Sequence, residues 1–228
     1  MIYSNLEVNM ILVKNLYLKY IREYFALYDI NLSIEDGEKV ALVGEEHSGK
    51  TSLLRILAKL ERPSKGEVYI KDIPIKKLNF KFDISAGYLP ASPVFFEKKT
   101  VYENFKYILK YQKLNEADLE NKINDALINF NIEVLKDKQV KELTLYEKYL
   151  ISIVRLSFRS LDLVMIDNIF DALNDEEKEK IVALIKEQFS DKKITLIVAT
   201  TSEKIAKELA NRNIYFSNGS IVTKEEKA

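Results

Sequence analysis

Two stretches near the start of the chain alternate between apolar and polar side chains. Leu16, Leu18 and Tyr20 alternate with Tyr17 and Lys19; Ile30, Leu32 and Ile34 alternate with Asn31, Ser33 and Glu35. A period of two predicts a half-buried strand in each. Asp36-Gly37 follows as a hairpin turn signal. "KVALVG" then runs apolar almost without a break, which predicts a strand buried on both faces. Beyond it the period lengthens. Leu53, Leu54, Ile56, Leu57 and Leu60 are spaced for one face of a helix, and Pro63 lies just past its end. "PSKGEVYI" supplies a turn and a further strand.

The middle of the chain is helical. Thr100-Val101-Tyr102-Glu103 is a capping box and predicts a helix start. A second helix follows Asn115, with Leu119, Ile123, Leu127 and Phe130 on one face, and a third runs from Thr144 to about Arg159. "LDLVMID" resumes the buried-strand pattern. Asp175 to Phe189 reads as an amphipathic helix with Ile181, Leu184, Ile185 and Gln188 along it. "ITLIVATT" predicts another buried strand, and "IYFSNGSIV" a hairpin around Asn218-Gly219. There are no repeats, low-complexity tracts or long linkers. The pattern predicts one α/β domain with a helical insertion.

Composition removes several function classes. Lys+Arg and Asp+Glu are both 35 in 228 residues, so the formal net charge is zero, which argues against a nucleic-acid partner. With no Cys and one His, disulfides, thiol chemistry and histidine-rich metal sites are excluded. The start, "MIYSNLEVNM", lacks the basic and apolar regions of a signal peptide. No run approaches the ~20 apolar residues of a membrane helix; the most apolar stretches are broken by Arg155 and Asp162. The first nine residues, ahead of Met10, read as an extension.

The strongest chemical signal is "VGEEHSGKTSLL", which holds G-x-x-x-x-G-K-T from Gly44 to Thr51 between a buried strand and a helix. In such a loop the backbone amides of Gly44, Glu45, Glu46, His47, Ser48, Gly49, Lys50, Thr51 and Ser52 surround phosphates, aided by the dipole of the following helix. Lys50 would bridge the β- and γ-phosphates, and the Thr51 hydroxyl would ligate Mg²⁺. Asp167, at the end of "LVMID", is placed to hold the same Mg²⁺ through water.

With these residues in place the chain resembles the ATP-binding subunits of ABC transporters over nearly its whole length. "LYLKY" and "YDINLSIEDGEKVALVG" resemble that family's opening, and "AGYLPASPVFFEKKTVYENF" its Q-loop and the start of its helical subdomain. "VKELTLYEKYLISIVRLSFRSLDLVMIDNIFDAL" has the rhythm of its signature, Walker B and D-loop block. "ITLIVATTSEKIAKELANRNIYFSNGSIV" resembles its switch region and closing hairpin. The resemblance implies a P-loop NTPase core with a mostly parallel sheet, an antiparallel β-subdomain and a helical subdomain at 92–160, all within one ABC-type domain spanning 1–228. It implies ATP and Mg²⁺ as cofactors, and Tyr20 as the aromatic that stacks on adenine. It further implies a transmembrane permease partner, a second ATP-binding subunit, alike or unlike, and a cytoplasmic place on the inner face of the cell membrane through that partner.

The departures from the family pattern narrow this. Where the family has the Q-loop Gln, this chain has Ala91; where it has the general-base Glu after the Walker B Asp, Asn168; where it has the switch His, Thr201. The LSGGQ signature becomes Leu143-Thr144-Leu145-Tyr146-Glu147, and the D-loop Asp becomes Asn174. Two losses hold under any alignment: His47 is the only His, and no Gly lies between Gly87 and Gly219. An absent acid/base group costs about 10²–10⁴ in rate, and absent contacts to developing charge cost a similar factor. The expectation is Mg-ATP binding with impaired hydrolysis, in a regulatory or structural half. A slow ATPase using Asp171 or Glu176 as base, and a soluble nucleotide-sensing scaffold without a membrane partner, are the alternatives.

Three features carry two readings each. Glu45, Glu46 and His47 either alter the phosphate contacts or mark drift on an exposed rim, and a Cβ at His47 could crowd the bend of the loop. Phe95 and Phe96 are either core or the place where the family docks a transmembrane subunit. Tyr20 is either the adenine platform or a plain strand aromatic.

Overall fold

The structure is a computed structural model that describes residues 9–21 and 24–227. In chain order the elements are β1 (Asn9–Ile21), β2 (Tyr24–Glu35), β3 (Lys39–Val43), α1 (Lys50–Leu57), β4 (Lys65–Ile70), β5 (Ile73–Pro74) and β6 (Ala86–Leu89). Then come α2 (Val101–Leu109), α3 (Glu116–Asn129), α4 (Leu145–Ser157), β7 (Leu163–Asp167), α5 (Asp175–Phe189), β8 (Thr195–Thr200), α6 (Glu203–Leu209), β9 (Arg212–Ser217) and β10 (Ser220–Val222). The expected N-terminal extension lies outside the described residues apart from Asn9, which opens β1; Met10 is already buried.

The chain divides into two compact units. One comprises Met1–Ala91, Leu161–Asp171 and Val182–Ala228, the other Ser92–Ser160 and Ala172–Ile181. The first holds two sheets: an antiparallel one of order β2-β1-β4-β5, and one of order β10-β9-β3-β8-β7-β6 in which β9, β3, β8, β7 and β6 are parallel. Leu53, Leu54, Ile56 and Leu57 of α1 join one core with residues of both sheets, among them Leu16, Ile30, Leu42 and Met165. β7 and β8 are buried along their whole length, as their apolar runs require.

Two local expectations are corrected. Asp36-Gly37 does make a turn, with Glu38 N–H bonded to Glu35 O at 3.2 Å, but not a hairpin. β2 pairs with β1, β3 pairs with β8 and β9, and the turn passes the chain from one sheet to the other. The Gly37 N–H instead reaches Thr195 Oγ1 at 2.8 Å, in β8. Leu60 is not on the helix face. Lys59 enters the left-handed region at φ 58, and Leu60 N–H caps Arg55 O at 2.8 Å, so α1 closes in a Schellman-type end. Leu60 is left 60% exposed.

The second unit has its own core, built from α2, α3 and α4 around Phe105, Leu119, Ile123, Ile151 and Val154. Its helices start where side chains satisfy the free amides of the first turn. Thr100 and Glu103 cap α2 reciprocally, Asn115 caps α3, and Thr144 and Glu147 cap α4. Among the described residues no helix is long and apolar enough to cross a membrane.

Candidate functional site

The site gathers at the carboxyl ends of the parallel strands, where open α/β sheets bind ligands. β3 runs into the loop Gly44–Gly49, which turns directly into α1. α1 differs from the other helices in how it begins. Its N-cap is Gly49, with no side-chain cap and no acidic residue in the first turn. α2, α3, α4 and α6 are capped by Thr100, Asn115, Thr144 and Ser202 and carry acid in the first turn. The positive end of α1 therefore carries no side-chain cap, an arrangement that suits an anion. Gly49 sits at φ 107, and a Cβ there would stand 2.8 Å from Ala26 O, so no other residue fits without movement.

Lys50 is buried and folded into the loop. Its Nζ donates to Gly44 O and Glu45 O, both at 2.7 Å, and to Ser48 Oγ at 3.0 Å. A compact cation thus occupies the centre of the bend. Thr51 Oγ1 donates to Asp167 Oδ1 at 2.8 Å, bringing a hydroxyl and a carboxylate from α1 and β7 together. Tyr88, in β6, donates its hydroxyl to Asp167 Oδ2 at 2.8 Å. Burial pushes the Asp167 carboxyl up from its ordinary pKa, against the Thr51 and Tyr88 hydrogen bonds that pull it down. Burial, then the Asp167 charge, raises the Tyr88 phenol strongly. Two hard oxygen donors of this kind suit Mg²⁺, which takes few protein ligands and keeps its waters.

Glu45, Glu46 and His47 are exposed on the rim of the loop. His47 adopts φ 61, so its Cβ is carried in the left-handed conformation, at a cost of about 1–2 kcal/mol. Beside them a cleft of about 410 Å³ is lined by Tyr20, Tyr24, Ala26 and the loop from His47 to Ser52. Tyr20 projects into it half exposed. Its hydroxyl donates to Glu61 Oε2 at 2.8 Å and lies 3.3 Å from Ser52 Oγ, while Glu61 also pairs with Arg55 at 3.4 Å. The ring is thus held at the edge of the loop that leads into α1.

Of the positions that depart from the family pattern, Asn168 and Thr201 lie past the ends of β7 and β8 and meet at one carboxylate. Asn168 follows Asp167 at φ 46 and donates Nδ2 to Asp171 Oδ2 at 2.8 Å. Thr201 donates Oγ1 to Asp171 Oδ1 at 2.9 Å. Ala91 is exposed in the bend after β6.

The remaining residues singled out in the sequence belong to the second unit. Phe95 lies under the Arg155 guanidinium at 4.7 Å, and Phe96 is half exposed, edge-on to Tyr107 at 4.8 Å. Tyr146 stands in the first turn of α4, its phenol raised chiefly by burial. Asn174 Oδ1 accepts from Glu177 N–H at 3.0 Å at the start of α5.

The family model described as ABC transporter matches residues 27–171, a span that contains the loop, Tyr88, Asp167 and Asn168. The chain belongs to the ABC transporter family. It is one of that family's ATP-binding domains, and solved cassettes share its fold. The ATP-binding cassette MJ0796, in a dimeric post-hydrolysis state bound to ADP and Pi, has a TM-score of 0.83 at 24% identity, over 94% of this chain and 97% of that one. CbiO1 from Clostridium perfringens, part of the ABC transporter complex cbiONQ, has a TM-score of 0.81 at 24% identity, over 95% and 88%. Among curated proteins, the methionine import ATP-binding protein MetN 1 of Bacillus thuringiensis subsp. konkukian is 27% identical over 201 residues, 86% of this chain and 59% of its own length. The sulfate/thiosulfate import ATP-binding protein CysA of Pectobacterium atrosepticum is 27% identical over 205 residues, 87% and 61% respectively. The chain therefore spans about three fifths of these curated relatives.

Sequence reasoning did not single out Tyr88 or Glu61, and it named Asp171 as an alternative base without its partners. Tyr88 reaches Asp167 because β6 and β7 lie side by side, with Tyr88 opposite Met165, a pairing that the sequence does not spell out. The contact of Asp171 with Thr201 had no readable signal, because the two lie 30 residues apart.

Proposed function

We propose that this chain is the ATP-binding half of an ABC-type transporter that holds Mg-ATP and hydrolyses it poorly. Gly44 to Ser52 seat the phosphates, Lys50 neutralises them, Thr51 and Asp167 hold Mg²⁺, and Tyr20 carries the base. The metal, when bound, draws charge from the β- and γ-phosphates. This chain's own residues fix its position. The observation that carries the reading is a contrast at the end of β7. Asp167 is in contact with Thr51 at 2.8 Å, while the next residue is an amide, Asn168, already engaged by Asp171 at 2.8 Å. Binding groups are kept, and the residue that follows the metal carboxylate is an amide, which cannot take a proton from water.

The capping of α4 supports the same conclusion for a partner's nucleotide. In the family the signature at this helix start faces the phosphate held by the second subunit. Here the Glu147 carboxylate accepts from Thr144 N–H at 2.8 Å, and Glu147 N–H bonds Thr144 Oγ1 at 3.2 Å. A carboxylate already fills the positive end of the helix, and Tyr146 stands where a Gly would admit backbone. The role is regulatory or structural. The chain sits on the inner face of the membrane through a permease subunit, beside a second ATP-binding subunit, with half-exposed Phe96 as part of the docking surface.

Titration calorimetry with Mg-ATP, paired with phosphate release by the same preparation, tests this. Measurable binding with release orders of magnitude below an efficient ATPase is expected. Brisk release that vanishes in Lys50→Ala overturns it.

A further inference from the structure

Asp171 belongs to none of the binding groups above, yet both its carboxylate oxygens are committed. Oδ2 accepts from Asn168 Nδ2 at 2.8 Å and Oδ1 from Thr201 Oγ1 at 2.9 Å. A carboxylate only accepts, so Asn168 must turn its NH₂ toward Asp171 and its carbonyl oxygen away. That oxygen, Asn168 Oδ1, is the one buried side-chain N or O among the described residues with no hydrogen-bond partner. A buried acceptor left without a donor is costly and needs an explanation. The backbone adds to the constraint: Asn168 is at φ 46, with its N–H held by Ala199 O at 3.0 Å. The side chain is thus fixed from both ends, one residue past the metal carboxylate.

We propose that Asp171 is a positioning residue that makes Asn168 and Thr201 a partial substitute for the missing carboxylate and imidazole. It aims Asn168 Oδ1 as the acceptor for the water that attacks the γ-phosphorus, and it holds the Thr201 hydroxyl beside it. The inference rests on the nucleotide-binding reading above. The Asp171 charge polarises the amide through Nδ2–H and strengthens the acceptor at its other end, as linked hydrogen bonds do in a low dielectric. An amide can orient an attacking water in phosphoryl transfer, although it cannot take its proton. The water oxygen bonds to the γ-phosphorus as the bond to the β–γ bridging oxygen breaks, and the electron pair leaves with ADP. The water's proton passes to a γ-phosphate oxygen. The result is orientation without a base, and so a slow turnover in place of none.

The test uses the full chain with Mg-ATP. Phosphate release is measured above a Lys50→Ala blank, and affinity by calorimetry. Asp171→Asn keeps size and an acceptor for Thr201 but removes the charge. It is expected to lower release at least tenfold with affinity within twofold of wild type. A purely structural role leaves the rate of Asp171→Asn unchanged, and that result overturns the proposal. Nucleotide bound by wild type with release no greater than the blank overturns it too. No binding by wild type overturns the nucleotide-binding reading, and this inference with it. A second comparison does not depend on Asp171→Asn folding. Asn168→Glu sets two carboxylates against each other, so it is expected to gain at least tenfold more release when combined with Asp171→Ser than alone. Equal gains overturn the proposal.

Discussion

Thr51 and Asp167 are 116 residues apart in the chain, and their side chains meet at 2.8 Å. This contact joins the start of α1 to the end of β7 and sets a hydroxyl against a carboxylate. Thr51→Ala removes the donor and leaves a buried carboxylate oxygen short of one hydrogen bond, at a cost of about 1–3 kcal/mol. The expected outcome is a lower melting temperature without nucleotide, and an ATP affinity that Mg²⁺ no longer raises. Calorimetry with and without Mg²⁺ checks the second point; an unchanged Mg²⁺ effect contradicts the metal assignment.

Lys50 makes three hydrogen bonds inside its own loop. Bound phosphate has to draw at least part of that donor capacity away. A hydrogen bond to a charged group contributes about 1.5–3 kcal/mol, so Lys50→Met is expected to weaken nucleotide binding about tenfold to hundredfold. Equilibrium binding of a fluorescent nucleotide measures this, and an affinity equal to wild type contradicts the assignment of Lys50.

Two neighbouring left-handed positions should respond with opposite sign. Gly49→Ala places a Cβ 2.8 Å from Ala26 O at φ 107, and is expected to destabilise the chain by about 1–3 kcal/mol. His47→Gly relieves a side chain at φ 61, and is expected to stabilise it by up to about 1 kcal/mol after the entropy of glycine is counted. Urea unfolding of both variants decides. A destabilised His47→Gly would mean that the imidazole makes a contact that outweighs the strain.

The capping box of α2 gives a pH dependence. The Glu103 carboxyl is held below its ordinary pKa, first by Lys99 Nζ at 2.7 Å and then by Thr100 N–H at 2.9 Å. A lowered folded-state pKa contributes stability above the unfolded value, about 4.3, and loses it as pH falls through the folded value. Glu103→Gln is therefore expected to be less stable than wild type at pH 7, with the gap closing in the acid range below that value. A gap that stays constant down to pH 3 contradicts the capping role.

Much of this was legible in the sequence because it is local. The capping box at Thr100, the cap at Asn115, the turn at Asn218-Gly219 and the loop between β3 and α1 each follow from a few adjacent residues. The misreadings came where a local code is silent about partners. Asp36-Gly37 specifies a turn, but the choice of β8 and β9 over β2 as neighbours of β3 is made by the apolar faces of distant strands. Leu60 fits the helical period. What removes it from the helix is Lys59 in a conformation that usually marks itself with Gly. At the site, Gly44 to Thr51 could be read from spacing alone. The pairing of Asp171 with both Asn168 and Thr201 could not, since it depends on β7 and β8 lying side by side.

The central claim is a nucleotide held and scarcely cleaved. It is tested most directly by incubating the full chain with Mg-ATP, removing free nucleotide and following the ratio of bound ATP to ADP over time. The expected result is stoichiometric nucleotide that stays mostly ATP far beyond the turnover time of an efficient ATPase. Rapid conversion to ADP in wild type, absent in Lys50→Ala, would contradict it, as would the recovery of no nucleotide at all.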